Sequence, residues 1–171
     1  MNSVGCFKGV ERKGAHMADE QDNPGGWIPP PLTYLLTLLL GLVLDRRLHV
    51  PFLPQGVARL LGWPLVAVGM ALTTWFIRTM RGADTTLDVN KPVSSLVQEG
   101  PFRYSRNPGY LSLTMLYAGI VILRNALWAI LFLPLLLLVT QSELIQREER
   151  YLERTFGEEY LAYKRKVRRW V

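Results

Sequence analysis

Apolar residues along this chain are gathered into four runs, at 27–44, 57–77, 109–123 and 126–143. The second run is close to the ~20 residues that a helix needs to cross a ~30 Å hydrocarbon layer. Arg124 and Asn125 separate the last two runs. We predict two helices here, because one continuous helix would bury Arg124 near mid-membrane at high cost. The pattern therefore predicts an all-α integral membrane protein with about four transmembrane helices, including a C-terminal helical hairpin.

Proline and glycine refine these predicted spans. Three prolines open the first run, where proline suits a helix entry. Gly62, Pro64 and Gly69 lie inside the second run and predict a kinked or closely packed helix.

The polar stretches between the runs differ in character. Residues 1–26 lack periodicity and are predicted to be a disordered tail, with Met17 as an alternative start. The 78–108 loop is about thirty residues long, and loops of that length are usually functional or disordered. Its Val, Leu, Phe and Tyr content argues for order. Residues 27–171 are predicted to be one membrane domain.

The segment 144–171 is charged but helical in pattern, which predicts amphipathic helices on the cytoplasmic side. Gly157 is expected to stop the first of them, because glycine tolerates the left-handed conformation. A second short helix should run from Glu158 to about Arg168. Its Tyr160 and Tyr163 share one face among basic residues, which suits a helix lying on a membrane surface.

Composition and charge exclude several classes of function. The net charge is +6, but the basic residues flank apolar runs, so anionic lipid headgroups explain them better than nucleic acid. The single cysteine, Cys6, allows no disulfide within the chain, and no Cys/His cluster suggests a metal. The 144–171 tail carries eight Lys or Arg residues. The distribution predicts both termini in the cytoplasm.

The stretch "RYSRNPGYLS" carries the candidate chemistry. Asn107 and Pro108 form an N-cap and N1 pair that starts a helix, and a helix start can hold an anion. Arg106 adds a planar donor suited to a carboxylate or a phosphate. The hairpin should bring this stretch close to "QREERY", where Glu148 and Glu149 can bind an ammonium group, accept from hydroxyls or take a proton. Such a site suits a zwitterionic small molecule, although each motif alone is also common as a membrane anchor.

The segment "GPFRYSRNPGYLS", followed by a hairpin and "EERYLERTFGEEYLAYKRKV", resembles the isoprenylcysteine carboxyl methyltransferase and phospholipid methyltransferase family. Its pattern, Arg-His/Asn-Pro-x-Tyr-x-Gly, then some thirty-five residues, then Glu-Glu, is matched at Arg106, Asn107, Pro108 and Tyr110. "GADTTLDV" resembles the upstream cofactor region, and the resemblance covers roughly residues 60–171. Asn107 replaces the His of the prenylcysteine enzymes, as in many bacterial relatives, and Ser112 stands where Gly is usual.

The resemblance implies an integral membrane enzyme that uses S-adenosylmethionine, in the inner or plasma membrane of a bacterium. It implies that three groups of residues hold the cofactor: Leu96, Val97 and Gly100 along its length, Phe102 or Tyr104 at its adenosine half, and Asn107, Pro108, Gly109 and Tyr110 around its methionine and sulfonium. Glu148 would hold a polar part of the cofactor, Glu149 would lie beside the reaction centre, and Arg106 would orient a carboxylate.

The methyl acceptor remains open between an isoprenylcysteine-type carboxylate and a phospholipid amine. A carboxylate needs no base, whereas an amine must lose a proton, and Glu149 is the candidate base. The expected partners are a lipophilic acceptor and the membrane, with no nucleic acid and no obligatory protein partner. Two rival interpretations are a sterol-reductase-like membrane enzyme that binds NADPH and a non-enzymatic membrane scaffold.

Overall fold

A computed structural model describes residues 29–82 and 96–170, and within these ranges the chain is helical without strands. The helices are α1 Pro30–Arg47, α2 Gln55–Gly82, α3 Pro108–Arg124, α4 Leu127–Val139, α5 Gln146–Phe156 and α6 Glu158–Lys166. A short 3-10 turn, Gly100–Arg103, precedes α3, and a π-helical turn, Thr140–Ile145, joins α4 to α5. The all-helical prediction is therefore confirmed for the described residues.

The boundaries of the first two helices differ from those predicted. Helix α1 begins at Pro30, in the proline triplet, and continues through the charged residues to Arg47. Helix α2 continues five residues beyond Ile77 to Gly82, so the segment predicted as a loop from residue 78 begins as helix. Polar and charged residues such as Arg78 and Arg81 are compatible with helix once the chain leaves the apolar layer.

Helices α3 and α4 form the predicted hairpin. Asn125 takes the left-handed conformation at φ 53° and caps α3, and its amide N–H donates to the carbonyl of Ile122 at 3.0 Å. The hydroxyl of Tyr117 in α3 donates to the carbonyl of Ala129 in α4 at 2.8 Å. The chain therefore reverses between α3 and α4, and the two helices contact each other near the turn.

No break separates the fourth predicted run from the charged segment that follows it. Helix α4 passes through the π-helical turn directly into α5, which makes one helical rod, Leu127–Phe156. The sequence predicts a span that ends at 143 and separate helices after it, and this prediction is wrong. The helix continues without a break through the π-helical turn into the charged segment. π-helical turns inside α-helices are frequent at functional sites.

Small residues allow the helices to approach closely, as predicted for the second run. A Cβ at Gly62 would lie 2.5 Å from Leu123 Cγ, and one at Gly69 would lie 2.9 Å from Leu116 Cγ, so α2 packs directly along α3. Helix α1 packs on α4 in the same way, since a Cβ at Gly41 would lie 2.5 Å from the Cα of Ala129. Small residues at such crossings are the usual basis of helix packing in membranes.

Two helices, Gln55–Gly82 and Leu127–Phe156, are long and apolar enough to cross a bilayer. Helix α3 is a shorter apolar helix. Large apolar side chains such as Leu60 and Leu138 lie on the outside of the bundle, with 72% and 68% of their surface exposed. An outer surface of this kind suits contact with lipid. The count of four spans stays a prediction.

Gly157 stops α5 as predicted, at φ 50°. Helix α6, however, turns its aromatic face toward the protein: Tyr160 and Tyr163 are 1% and 5% exposed. That face is therefore not available to a membrane surface, and the prediction that α6 lies on the membrane by this face is wrong, because the side chains pack against the rest of the chain.

Three of the sequence-based predictions lie outside the described residues. They are the disordered tail, the start of the first span at Trp27, and all of "GADTTLDV" after Gly82.

Candidate functional site

A buried polar cluster lies where the end of the hairpin meets the segment before α3. The hydroxyl of Tyr110, in the first turn of α3, donates to Glu148 Oε2 at 3.3 Å. Arg106 Nη2 lies 3.4 Å from Glu149 Oε1, and their side chains are only 9% and 7% exposed. The predicted meeting of "RYSRNPGY" with "QREERY" is thus seen in the structure, because the antiparallel hairpin brings both segments to one end of the bundle.

Arg106 has donors in this cluster that no neighbour uses. Its Nε and Nη1 atoms are buried and have no hydrogen-bond partner among the described residues. Burying an unsatisfied donor is costly, more so on a charged group. Two unsatisfied guanidinium nitrogens at the start of a helix are therefore suited to an anionic group, in line with the sequence-based prediction.

Asn107 occupies the predicted N-cap position but does not cap with its side chain. Its carbonyl accepts the first bond of α3 from the amide of Leu111 at 3.0 Å. The side-chain Nδ2 instead donates to the carbonyl of Arg169 at 3.2 Å, and its own amide N–H donates to Ser105 Oγ at 3.1 Å. The capping prediction is corrected, because the C-terminal segment lies close enough to compete for this side chain.

The C-terminal segment contributes a residue that sequence reasoning does not predict. Arg169 donates from Nε to Glu149 Oε1 at 3.0 Å and from Nη2 to Oε2 at 2.7 Å. The hydrogen bonds to Glu149 raise the pKa of the Arg169 guanidinium. Glu149, predicted to lie beside the reaction centre, has both oxygens engaged and lies between two guanidinium groups.

A surface cavity of about 500 Å³ lies at the end of α2. Its lining contains three predicted cofactor residues, Leu96, Val97 and Gly100, together with Thr79 and other neighbours. Gly100 has φ +59°, and a Cβ there would lie 2.5 Å from Thr79 Oγ1. Glycine is required at this position by both conformation and space.

Aromatic residues of α2 connect the cavity region to the start of α3. The ring of Phe102 lies 5.8 Å from that of Phe76, and a Cβ at Gly109 would lie 3.2 Å from the same Phe76 ring. The ring of Tyr104 lies 6.1 Å from that of Trp75 at an angle of 54°, but Tyr104 is 68% exposed. The last turns of α2 thus form an aromatic wall, Trp75 and Phe76. This wall contacts residues predicted for both the adenosine end and the methionine end of a cofactor.

Three further residues complete the surroundings of this wall. The hydroxyl of Tyr163 donates to the carbonyl of Phe102 at 2.7 Å, and burial raises the pKa of Tyr163 to about 12. Pro108 is fully buried at the start of α3. Ser112 donates to the carbonyl of Gly109 at 2.8 Å, within its own helix.

Sequence reasoning misses some residues that surround the site. Trp75 and Phe76 sit at the end of an apolar run, where the pattern favours a packing or interface role. The basic tail suggests lipid headgroups, and nothing in the sequence signals that Arg169 pairs with Glu149. Among the described residues, no group of three His, Cys, Asp or Glu side chains is arranged to hold a metal.

The family model described as Phospholipid methyltransferase matches residues 57–159. An uncharacterized protein of Haemophilus influenzae is 49% identical over 63 residues, which make up 36% of this chain and 98% of that protein. No solved structure matches. The range matched by the family model begins in the first turn of α2 and ends in α6, so it includes Arg106, Tyr110 and the Glu148–Glu149 pair but not Arg169.

Proposed function

Because the chain belongs to the phospholipid methyltransferase family, we propose that it transfers a methyl group from S-adenosylmethionine to a lipophilic acceptor at the membrane. One observation carries this proposal: Arg106, Tyr110, Glu148 and Glu149 converge in a buried cluster at the end of an apolar helical hairpin. Charged groups of both signs, buried next to a surface that suits lipid, match a zwitterionic cofactor and an amphipathic acceptor.

The residues present fit the charges of this cofactor. The two unpartnered donors of Arg106 suit its carboxylate. Glu148, which has one oxygen in a hydrogen bond with Tyr110, can accept from its ammonium group or ribose hydroxyls. The cavity lined by Leu96, Val97 and Gly100 is within the usual size range of small-molecule pockets. These three residues are the ones predicted to lie along the cofactor.

Bound S-adenosylmethionine supplies a methyl group that is already activated on a sulfonium. The protein's part is then mainly to align donor and acceptor and to exclude water. Pro108, Gly109 and Tyr110 provide a rigid helix start beside the charged cluster, and the Phe76 ring closes one side of it. Arg106 orients an anionic group through its buried, unpartnered donors.

An amine acceptor also has to lose a proton. The sequence predicts Glu149 as the base, but both of its oxygens accept hydrogen bonds from Arg169. Glu148 has only Oε2 engaged, by Tyr110. The geometry therefore favours Glu148 as the proton acceptor for an amine, while Glu149 stays paired with Arg169. A carboxylate acceptor is already deprotonated and needs no base.

The acceptor should enter from the bilayer, between helices, and the cofactor from the polar end of the bundle. We further propose that this end and both termini face the cytoplasm of a bacterial cell, because the basic residues of the tail lie there. An acceptor with a long apolar part and a reactive head group is the class that fits this boundary.

The test is a methyl-transfer assay with the detergent-purified chain and S-adenosylmethionine labelled in its methyl group. Vesicles containing phosphatidylethanolamine and a micellar prenylated cysteine are offered separately as acceptors. Label in either lipid, lost in Glu148→Ala, supports the proposal, and the labelled lipid shows whether an amine or a carboxylate is used. No transfer together with saturable NADPH binding would favour a reductase, and neither activity would favour a scaffold.

A further inference from the structure

The last described residues, 167–170, form a non-helical C-terminal strap that lies across the segment before α3. Val167 leaves α6 in a β conformation, at φ −119° and ψ 133°. The Arg106 amide donates to the carbonyl of Arg168 at 3.0 Å, and the carbonyl of Arg169 accepts from Ser105 Oγ and Asn107 Nδ2, each at 3.2 Å. Three hydrogen bonds thus fix the strap next to the polar cluster.

The Arg169 side chain reaches from this strap to Glu149 with planar, two-pronged geometry. Both Glu149 oxygens are used, at 3.0 and 2.7 Å. Bidentate arginine–carboxylate pairs are among the strongest polar contacts in proteins, and they fix the orientation of both groups. The Glu149 carboxylate is therefore held in place from the C-terminal side.

Arg106 contacts the same carboxylate much more loosely. Its Nη2 is 3.4 Å from Glu149 Oε1, and no other donor of this guanidinium has a partner among the described residues. If Arg169 were removed, Glu149 would have two oxygens available, and Arg106 is the nearest buried cation. A tight pair of Glu149 with Arg106 would then consume the donors that suit an anionic ligand.

We propose that Arg169 is a positioning residue: by occupying Glu149 it keeps Arg106 available to bind the carboxylate of the cofactor. This inference rests on the proposed function, since it assigns a purpose to the free donors of Arg106. Arg169 lies beyond the matched range of the family, 57–159. Its role follows from the geometry of the strap in this chain.

The test compares S-adenosylhomocysteine binding, by calorimetry, in the wild type, Arg169→Gln and the double variant Glu149→Gln/Arg169→Gln. Arg169→Gln should weaken binding by about tenfold, because one charge-assisted contact of Arg106 is diverted to Glu149. The double variant should recover to within about threefold of wild type, because a neutral amide at position 149 no longer competes for Arg106. Arg165→Gln is the matched control, since Arg165 is exposed on α6 outside the cluster.

Each outcome decides between the two proposals. A wild type that does not bind S-adenosylhomocysteine contradicts the proposed function itself. A wild type that binds, with Arg169→Gln binding equally well, overturns only the role of Arg169. Weak binding in Arg169→Gln that the double variant fails to restore would mean that the strap acts through packing alone, and would also overturn it.

A second pair of variants covers the case in which Arg169→Gln does not fold. Arg169→Lys keeps the charge of the strap but lacks the two-pronged geometry, so it should bind S-adenosylhomocysteine more weakly than wild type. Adding Glu149→Gln to Arg169→Lys should restore binding. Unchanged affinity in Arg169→Lys would show that the geometry of the pair does not matter and would count against the inference.

Discussion

The hydroxyl of Tyr110 lies 3.3 Å from Glu148 Oε2 and so joins the first turn of α3 to the first turn of α5. Replacing Tyr110 by Phe removes this bond and leaves the Glu148 carboxylate without its fixed donor. We expect Tyr110→Phe to weaken S-adenosylhomocysteine binding by roughly threefold to tenfold, the scale of the net contribution of one typical hydrogen bond. Calorimetric titration of the purified variant measures this directly.

Tyr117→Phe is the matched control for that variant. Its hydroxyl also donates a buried hydrogen bond, but to the Ala129 carbonyl within the hairpin. Tyr117→Phe should lower the free energy of unfolding by about 1 kcal/mol while leaving affinity unchanged. Equal affinity in Tyr110→Phe and wild type would show that Tyr110 does not orient Glu148 for binding.

The close packing of α2 on α3 predicts a steric limit at Gly119. A Cβ there would lie 2.9 Å from the Val66 amide nitrogen and 2.8 Å from its Cγ2, and backbone cannot easily move aside. Gly119→Ala should destabilise the chain by about 1–3 kcal/mol, the usual cost of overpacking. Gly56→Ala, where a Cβ would meet nothing within 4 Å, is the control and should not destabilise. Thermal unfolding in detergent compares the two, and equal melting temperatures would contradict the packing.

Asn125 holds the loop before α2 onto the tip of the hairpin. Its Oδ1 accepts from the amides of Phe52 and Leu53 at 3.1 and 3.0 Å, and its Nδ2 donates to the Leu53 carbonyl at 2.6 Å. Asn125→Ala loses these bonds and strains the left-handed turn, so we expect a loss of about 2 kcal/mol in unfolding free energy. Denaturant unfolding measures this loss.

Asn125→Gly separates the two causes. Glycine accepts the positive φ of 53° without strain but lacks the side-chain bonds. It should fall between Asn125→Ala and wild type. If Asn125→Gly is as stable as wild type, the side chain contributes nothing to holding the loop.

Much of this fold is predictable because local chemistry determines it. Asn107 and Pro108 start α3, Gly157 ends α5, and the hairpin brings Arg106 close to the two glutamates; each depends on a few adjacent residues or on a simple turn. These features need no knowledge of distant contacts.

The strap and the aromatic wall are not predictable in the same way. Arg169 reaches Glu149 across 20 positions and through the reversal at Gly157, so its partner depends on how α6 folds back. A basic residue in a polar tail equally suits lipid headgroups, and only the fold excludes that interpretation. Trp75 and Phe76 end an apolar run, where packing and ligand contact produce the same residue types.

Alanine variants at two glycines with positive φ separate an effect on cofactor binding from an effect on stability alone. Gly100 and Gly157 have φ of 59° and 50°, but only at Gly100 would a Cβ meet a neighbour, Thr79 Oγ1 at 2.5 Å. Both alanine variants should lose stability, by about 1–2 kcal/mol each. Gly100→Ala alone should also weaken S-adenosylhomocysteine binding, because it distorts the cavity lining. Equal affinities in the two variants would place the cofactor elsewhere.

The measurement that tests the central claim most directly is calorimetric titration of the detergent-purified chain with S-adenosylhomocysteine. The wild type and Glu148→Ala are compared with Glu143→Ala, which removes a carboxylate from an exposed ion pair with Arg147. The account predicts saturable binding to the wild type and to Glu143→Ala, and its loss in Glu148→Ala. Absence of binding to the folded wild type, or full binding in Glu148→Ala, would contradict the assignment of this cluster as a cofactor site.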